Sequence, residues 1–160
     1  LIKEEIEEID ELAKAHQIGA MVAPNFALGA VIMTHLAKIA AKYFNYAEII
    51  ELHHEKKIDS PSGTAIATAR AMLEAKGKPF LRPPSSGKRG TQIDGITIHS
   101  VRLPGFLARQ DIVLGGPGQT LCIEHNTINR ECFMPGVIMA VKRVVEHKGL
   151  IYGLDSLLGL

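Results

Sequence analysis

The stretch Ala47-Glu-Ile-Ile-Glu-Leu-His-His-Glu-Lys-Lys-Ile-Asp-Ser-Pro-Ser-Gly-Thr-Ala65 decides the reading of this chain. Ile49, Ile50 and Leu52 mark residues 47–54 as a strand. Glu55 to Ser60 is a polar loop. Pro61-Ser62-Gly63-Thr64 is a turn with capping residues, and Ile66, Ala69, Met72 and Leu73 space the inward side of a helix running to about Lys76. Gly77-Lys78-Pro79 ends that helix. A strand thus leads through a charged loop into the N-terminus of a helix.

Outward from this unit the pattern continues. Upstream, residues 27–44 place Leu28, Val31, Ile32, Leu36, Ile39, Ala40, Tyr43 and Phe44 along one stripe, which predicts a helix packed by that stripe. Ile18 to Ala23 reads as a buried strand, broken by Pro24-Asn25-Phe26. Residues 3–16 form an amphipathic helix with Ile6, Ile9 and Leu12 at helical spacing, acids early, and Lys14 and His16 late, as the macrodipole favours. Downstream, residues 82–94 read as a loop rich in Pro, Gly and basic residues. Strands are expected at 96–103, 110–114 and 119–127, the last two joined through Gly115-Gly-Pro-Gly118. Met134, Val137, Ile138, Val141, Val144 and Val145 predict a closing helix opened by Arg130-Glu-Cys-Phe133, and Gly149 stops it before a short apolar tail.

The order is β-α-β-α-β-β-β-α after an opening helix. It predicts an α+β fold: an open mixed β-sheet with helices on one face. Residues 1–24 and 131–160 read as parts of a different layer, flanking a domain at 25–130.

Within the central stretch, His53 and His54 are adjacent on a strand, so their side chains point to opposite faces. They are poorly arranged to chelate one metal, despite Glu51, Glu55 and Asp59 nearby, and no metal site is expected. Lys57 follows His53 by four residues. It reads either as a solvated surface lysine or as a cation beside an imidazole, each lowering the other's pKa toward the range useful for proton transfer. Ser62 suits an N-cap. The same helix start offers free N–H groups and a positive dipole end to a carboxylate, and Gly63 lets an anion come close. Together these groups make a candidate dicarboxylate site. Ala23 to Phe26, directly after a strand, is a candidate ligand loop. Lys88 and Arg89 are solvated or additional anion contacts.

The formal net charge of the 160 residues is +1, which argues against a nucleic-acid binder relying on a broad basic surface. No apolar run reaches membrane-spanning length. The two cysteines, Cys122 and Cys132, form no CxxC pair and suit a reducing compartment. The chain reads as cytoplasmic. Its first residue is Leu1, not Met, so a fragment of a longer protein is one expectation.

The motif E-x-H-H-x-x-K-x-D-x-P-S-G-T-A, present as Glu51 through Ala65, resembles the signature of dihydrodipicolinate reductase, also called 4-hydroxy-tetrahydrodipicolinate reductase. The resemblance extends to Ala23-Pro-Asn-Phe26, Gly87-Lys-Arg-Gly90, Ile98-His-Ser-Val-Arg-Leu-Pro-Gly105, Gly115 through Gln119, Arg130-Glu-Cys-Phe133 and Tyr152 through Leu158. It implies that His53 and Lys57 are catalytic, the first exchanging a proton and the second donating one. It implies that His54 binds substrate, that Ser62, Gly63 and Thr64 hold a substrate carboxylate, and that Ala23, Pro24, Asn25 and Phe26 lie along the nicotinamide of NADPH or NADH. The implied reaction belongs to diaminopimelate and lysine biosynthesis, in a homotetramer. The resemblance makes both termini remnants of a Rossmann-type nucleotide domain. The family's glycine-rich strand-to-helix loop has no counterpart in this chain. That gap leaves a second expectation open: a non-catalytic dicarboxylate-binding and tetramerisation module.

Overall fold

The computed structural model describes residues 1–160. The chain divides into two compact units, Leu1–Ile32 with Arg130–Leu160, and Met33–Asn129.

The second unit is built on a five-stranded sheet. Its strands are β2 (Tyr46–His53), β3 (Thr91–Ile93), β4 (Ile96–Arg102), β5 (Ala108–Gly116) and β6 (Gln119–Thr127), in the spatial order β3-β4-β2-β5-β6. β2 and β4 run parallel, with Glu51 opposite Ser100 and His53 opposite Arg102. The remaining pairs are antiparallel. The mixed sheet follows from the connections. The β2-to-β4 link contains α3 (Gly63–Lys76), long enough for a parallel crossover, whereas Gly115 to Gln119 closes a hairpin. The core lies on one sheet face, where Ala47, Ile49, Ile96, Ile98, Ile112 and Leu114 meet Met33, Ala37, Ala41, Ala65, Ala69 and Met72 of the helices. Ser62 caps α3 by accepting a hydrogen bond from Ala65 N at 3.2 Å. Gly77, at φ +72°, ends it in the left-handed conformation that glycine tolerates.

The helix α2 (Leu28–Ala41) corrects one expectation. Its predicted stripe is only in part the packed side: Ala40 is buried and Phe44 packs against the core, but Ile32, Leu36 and Ile39 are 44–46% exposed and Tyr43 is 79% exposed. Ala30, Met33, Ala37 and Ala41, outside that stripe, are buried. Small side chains bring a helix close to its neighbours, so the largest apolar residues were the wrong guide. The predicted loop at 82–94 also contains the edge strand β3, and Gly95, at φ +92°, turns it into β4.

In the first unit, β1 (Gly19–Val22) pairs in parallel with β7 (Gly149–Tyr152), Gly19 opposite Gly149. The expected apolar tail is therefore a strand followed by α5 (Leu154–Leu158). Asp10 of α1 (Lys3–Ala15) accepts a hydrogen bond from Leu150 N at 2.8 Å, tying that helix to β7. Arg130–Phe133 forms a separate 3-10 turn before α4 (Met134–Val144). On α4 the buried residues are Gly136 and Ala140, whereas Met134, Ile138, Val141 and the following Val145 are exposed.

Candidate active site at the carboxyl end of β2

Strand alternation puts Ala47, Ile49, Glu51 and His53 on the helix-covered face of β2. The hydrophobic row thus ends in a carboxylate and an imidazole. Glu51 is fully buried. Its Oε1 and Oε2 take the Arg102 guanidinium at 2.8 and 2.9 Å in a bidentate pair. Oε1 also accepts Ser62 N at 3.2 Å, and Oε2 lies 2.6 Å from His53 Nδ1. One carboxylate therefore joins the ends of two parallel strands to the start of α3.

Burial alone would raise the Glu51 pKa. Hydrogen bonds from Arg102, Ser100 and His53 outweigh it and hold the carboxyl below its ordinary value. An ionised Glu51 accepts the Nδ1 proton, leaving Nε2 as the nitrogen free to exchange one. Burial pushes the His53 pKa down, the bond and charge of Glu51 oppose it, and the charges of Lys57 and Arg102 add to the lowering.

Lys57 sits in the loop after β2, and its Nζ donates to Asp59 Oδ1 at 2.7 Å. The Asp59 carboxyl is held below its usual value, first by that ammonium and further by the backbone N–H groups of Asp59 and Gly63. The loop is fastened by Arg102, whose Nε donates to Lys57 O at 3.2 Å and Nη2 to Asp59 O at 2.6 Å. At the helix start, Gly63 and Thr64 are exposed, and a Cβ on Gly63 would meet nothing within 4 Å. The first turn of α3 already turns the Gly63 N–H to a carboxylate, that of Asp59.

The structure thus gathers Glu51, His53, Lys57, Ser62, Gly63 and Arg102 at the carboxyl ends of β2 and β4. His54 lies just past β2, half-buried, its carbonyl accepting Lys57 N at 3.2 Å. Ala23, Pro24, Asn25 and Phe26 lie in the other unit. There Asn25 Oδ1 accepts Ala27 N at 2.9 Å and opens α2. Arg89 is exposed and away from this site, where it pairs with Glu48, which also lies 2.6 Å from His99 Nε2. Glu48 is three residues from Glu51, so alternation places it on the opposite sheet face. No group of three or more His, Cys, Asp or Glu side chains is placed to hold a metal ion.

Two contributors escaped the sequence reading. The role of Glu51 was legible in its two-residue spacing from His53, which puts both on one face. Arg102 had no local signal, because only the parallel β2–β4 register brings it there.

The family model described as "Dihydrodipicolinate reductase, C-terminus" matches residues 29–158. The chain is 56% identical over 160 residues to the 4-hydroxy-tetrahydrodipicolinate reductase of Dehalococcoides mccartyi, covering 98% of this chain and 61% of that protein. It is 49% identical over 159 residues to that of Moorella thermoacetica, covering 97% and 60%. A solved structure, dipicolinate-bound dihydrodipicolinate reductase from Paenisporosarcina sp. TG-14, superposes with a TM-score of 0.83 at 45% identity, covering 98% of this chain and 61% of that one. The chain thus spans about three fifths of the length of these relatives. The α+β architecture is the one this family's C-terminal part adopts, and the chain belongs to the dihydrodipicolinate reductase family.

Proposed function

We propose that this chain supplies the substrate-binding and proton-transfer part of an NAD(P)H-dependent oxidoreductase. The reaction is reduction of 4-hydroxy-tetrahydrodipicolinate to tetrahydrodipicolinate, with loss of water, in diaminopimelate and lysine biosynthesis. The observation that carries this reading is the carboxylate-anchored imidazole at the end of β2, next to a lysine loop and an exposed helix start. Dipicolinate, named as bound in the related structure, is a cyclic dicarboxylate of the kind this arrangement suits. In this reading one carboxylate of the substrate lies on the N–H groups of Gly63 and Thr64, with Ser62 fixing the helix start and His54 beside it. His53, oriented by Glu51, exchanges a proton through Nε2, and Lys57 donates another. The substrate takes over Lys57 and the helix start from Asp59, which engages both in this structure.

The cofactor fits this chain in part. Ala23 to Phe26 follow the carboxyl end of β1 and suit the border of a flat ring. The bound cofactor would supply a hydride. No glycine-rich turn from a strand into a helix is present for its phosphates. That gap favours, for the chain by itself, a second reading as a dicarboxylate-binding and assembly module. Assembly as a homotetramer would use the sheet face opposite the helices, where alternation places Ile50, Leu52, Val101 and Val113. No helix is long and apolar enough to cross a membrane, and a cytoplasmic place suits a biosynthetic reductase.

NAD(P)H fluorescence on mixing with the chain separates these readings. Saturable enhancement and consumption in the presence of substrate support the reductase. No change at millimolar cofactor, with dipicolinate still binding, supports the module. Sedimentation tests the assembly: a fourfold mass is expected, and a monomer at all concentrations refutes it.

A further inference from the structure

We infer that Arg102 is a positioning residue that sets both members of the proposed acid–base pair at once. The inference rests on the reading of His53 and Lys57 given above. One guanidinium makes two distinct sets of bonds. Nη1 and Nη2 grip the Glu51 carboxylate, which in turn holds His53 Nδ1. Nε and Nη2 hold the carbonyls of Lys57 and Asp59, so the same planar group fixes the backbone of the Lys57 loop. Nη1 also donates to Val101 O at 2.8 Å, which anchors the guanidinium to its own strand. Every bond is to an oxygen, and the fork geometry needed to hold two oxygens of Glu51 and two loop carbonyls together is special to arginine.

Arg102 is largely buried, its side chain 18% exposed, with Glu51 fully buried beneath it. Neither group reaches substrate in this role. The charged groups acting on His53 are Glu51, Lys57 and Arg102. Replacing Arg102 by a neutral side chain removes a repelling charge from His53 and frees Glu51 to attract it more strongly. Replacement by lysine keeps the charge but cannot span Glu51 and both carbonyls.

The test is NMR on the 160-residue chain. In the wild type, His53 should be the Nδ1–H tautomer. In Arg102→Gln the His53 titration midpoint should rise by about one pH unit or more, the order expected when a neighbouring charge is lost. In Arg102→Lys the midpoint should move little, whereas amide exchange at Lys57 and Asp59 should quicken at least tenfold with the β2 and β5 amides unchanged. An unmoved midpoint in a folded Arg102→Gln, or unaltered loop exchange in Arg102→Lys, overturns the inference. If the neutral variant fails to fold, the lysine variant decides alone. A dipicolinate titration of the wild type separates this from the underlying reading. Absence of any dipicolinate response at Gly63, Thr64 and His53 sinks the substrate reading, whereas the Arg102 variants still judge the positioning claim on the imidazole and the loop.

Discussion

Glu51 Oε2 lies 2.6 Å from His53 Nδ1, two residues along one strand and on its buried face. Alternation makes this pairing, because residues two apart share a face, and the carboxylate is already ionised by its bonds to Arg102. A lone strand-end histidine becomes a group with one nitrogen fixed and the other free.

Removing that carboxylate's charge should therefore lower the His53 titration midpoint. Glu51 is what opposes the effect of burial on this imidazole. In Glu51→Gln, a midpoint below that of the wild type is expected in histidine-resolved NMR; a rise would mean that Glu51 does not favour the protonated imidazole.

Truncating Arg102 to alanine leaves a fully buried carboxylate without its bidentate partner. A loss of about 3–5 kcal/mol in urea-unfolding free energy is expected, as for other broken buried ion pairs. A loss under 1 kcal/mol would show that Glu51 is hydrated or neutral.

Acid should destabilise the chain in two stages. The His53 and His125 pKa values are lowered from 6.5 by burial, so the unfolded chain binds more protons below that pH. Stability is full above about pH 6.5 and falls as pH drops toward the folded values. Glu51, lowered from 4.5, adds a second loss as pH falls below that value. Urea midpoints measured from pH 8 to pH 3 check this; a midpoint rising on acidification would contradict it.

Beneath the site, Thr68 Oγ1 accepts Gln110 Nε2 at 3.0 Å and lies 3.4 Å from Thr34 Oγ1. Thr68→Val strands the buried amide of Gln110, at a cost of about 1–3 kcal/mol by chemical denaturation. A neutral result would require another partner for that amide.

The frame of strands and helices was legible because it rests on local spacing. The β2 stretch alternates, Ser62 caps, and Gly115-Gly-Pro-Gly118 turns. The buried side of α3 was legible too, with Ala69 and Met72 in the core and Ile66 and Leu73 packed on it, but which side α2 and α4 bury was not. In α2 and α4 the packed residues are alanine, glycine and methionine, and the large apolar ones face out, so the strongest hydrophobic signal marked the exposed side. Gly136 illustrates why: a Cβ there would lie 2.1 Å from Phe26 O, and only glycine allows the approach. β7 was hidden because four apolar residues after a helix show no period. His53, Lys57 and Ser62 were legible from one contiguous motif, whereas Arg102 depends on a partner strand about fifty residues away.

The central claim is that a cyclic dicarboxylate docks at the start of α3 beside His53 and Lys57. Dipicolinate titrated into the isotopically labelled chain tests it most directly. The amides of Gly63 and Thr64 and the His53 imidazole should shift along one common saturation curve, and Lys57→Ala should weaken that curve about tenfold, the loss expected for one charge-assisted hydrogen bond. Unmoved Gly63 and Thr64 signals at millimolar dipicolinate, with the chain folded, would contradict it.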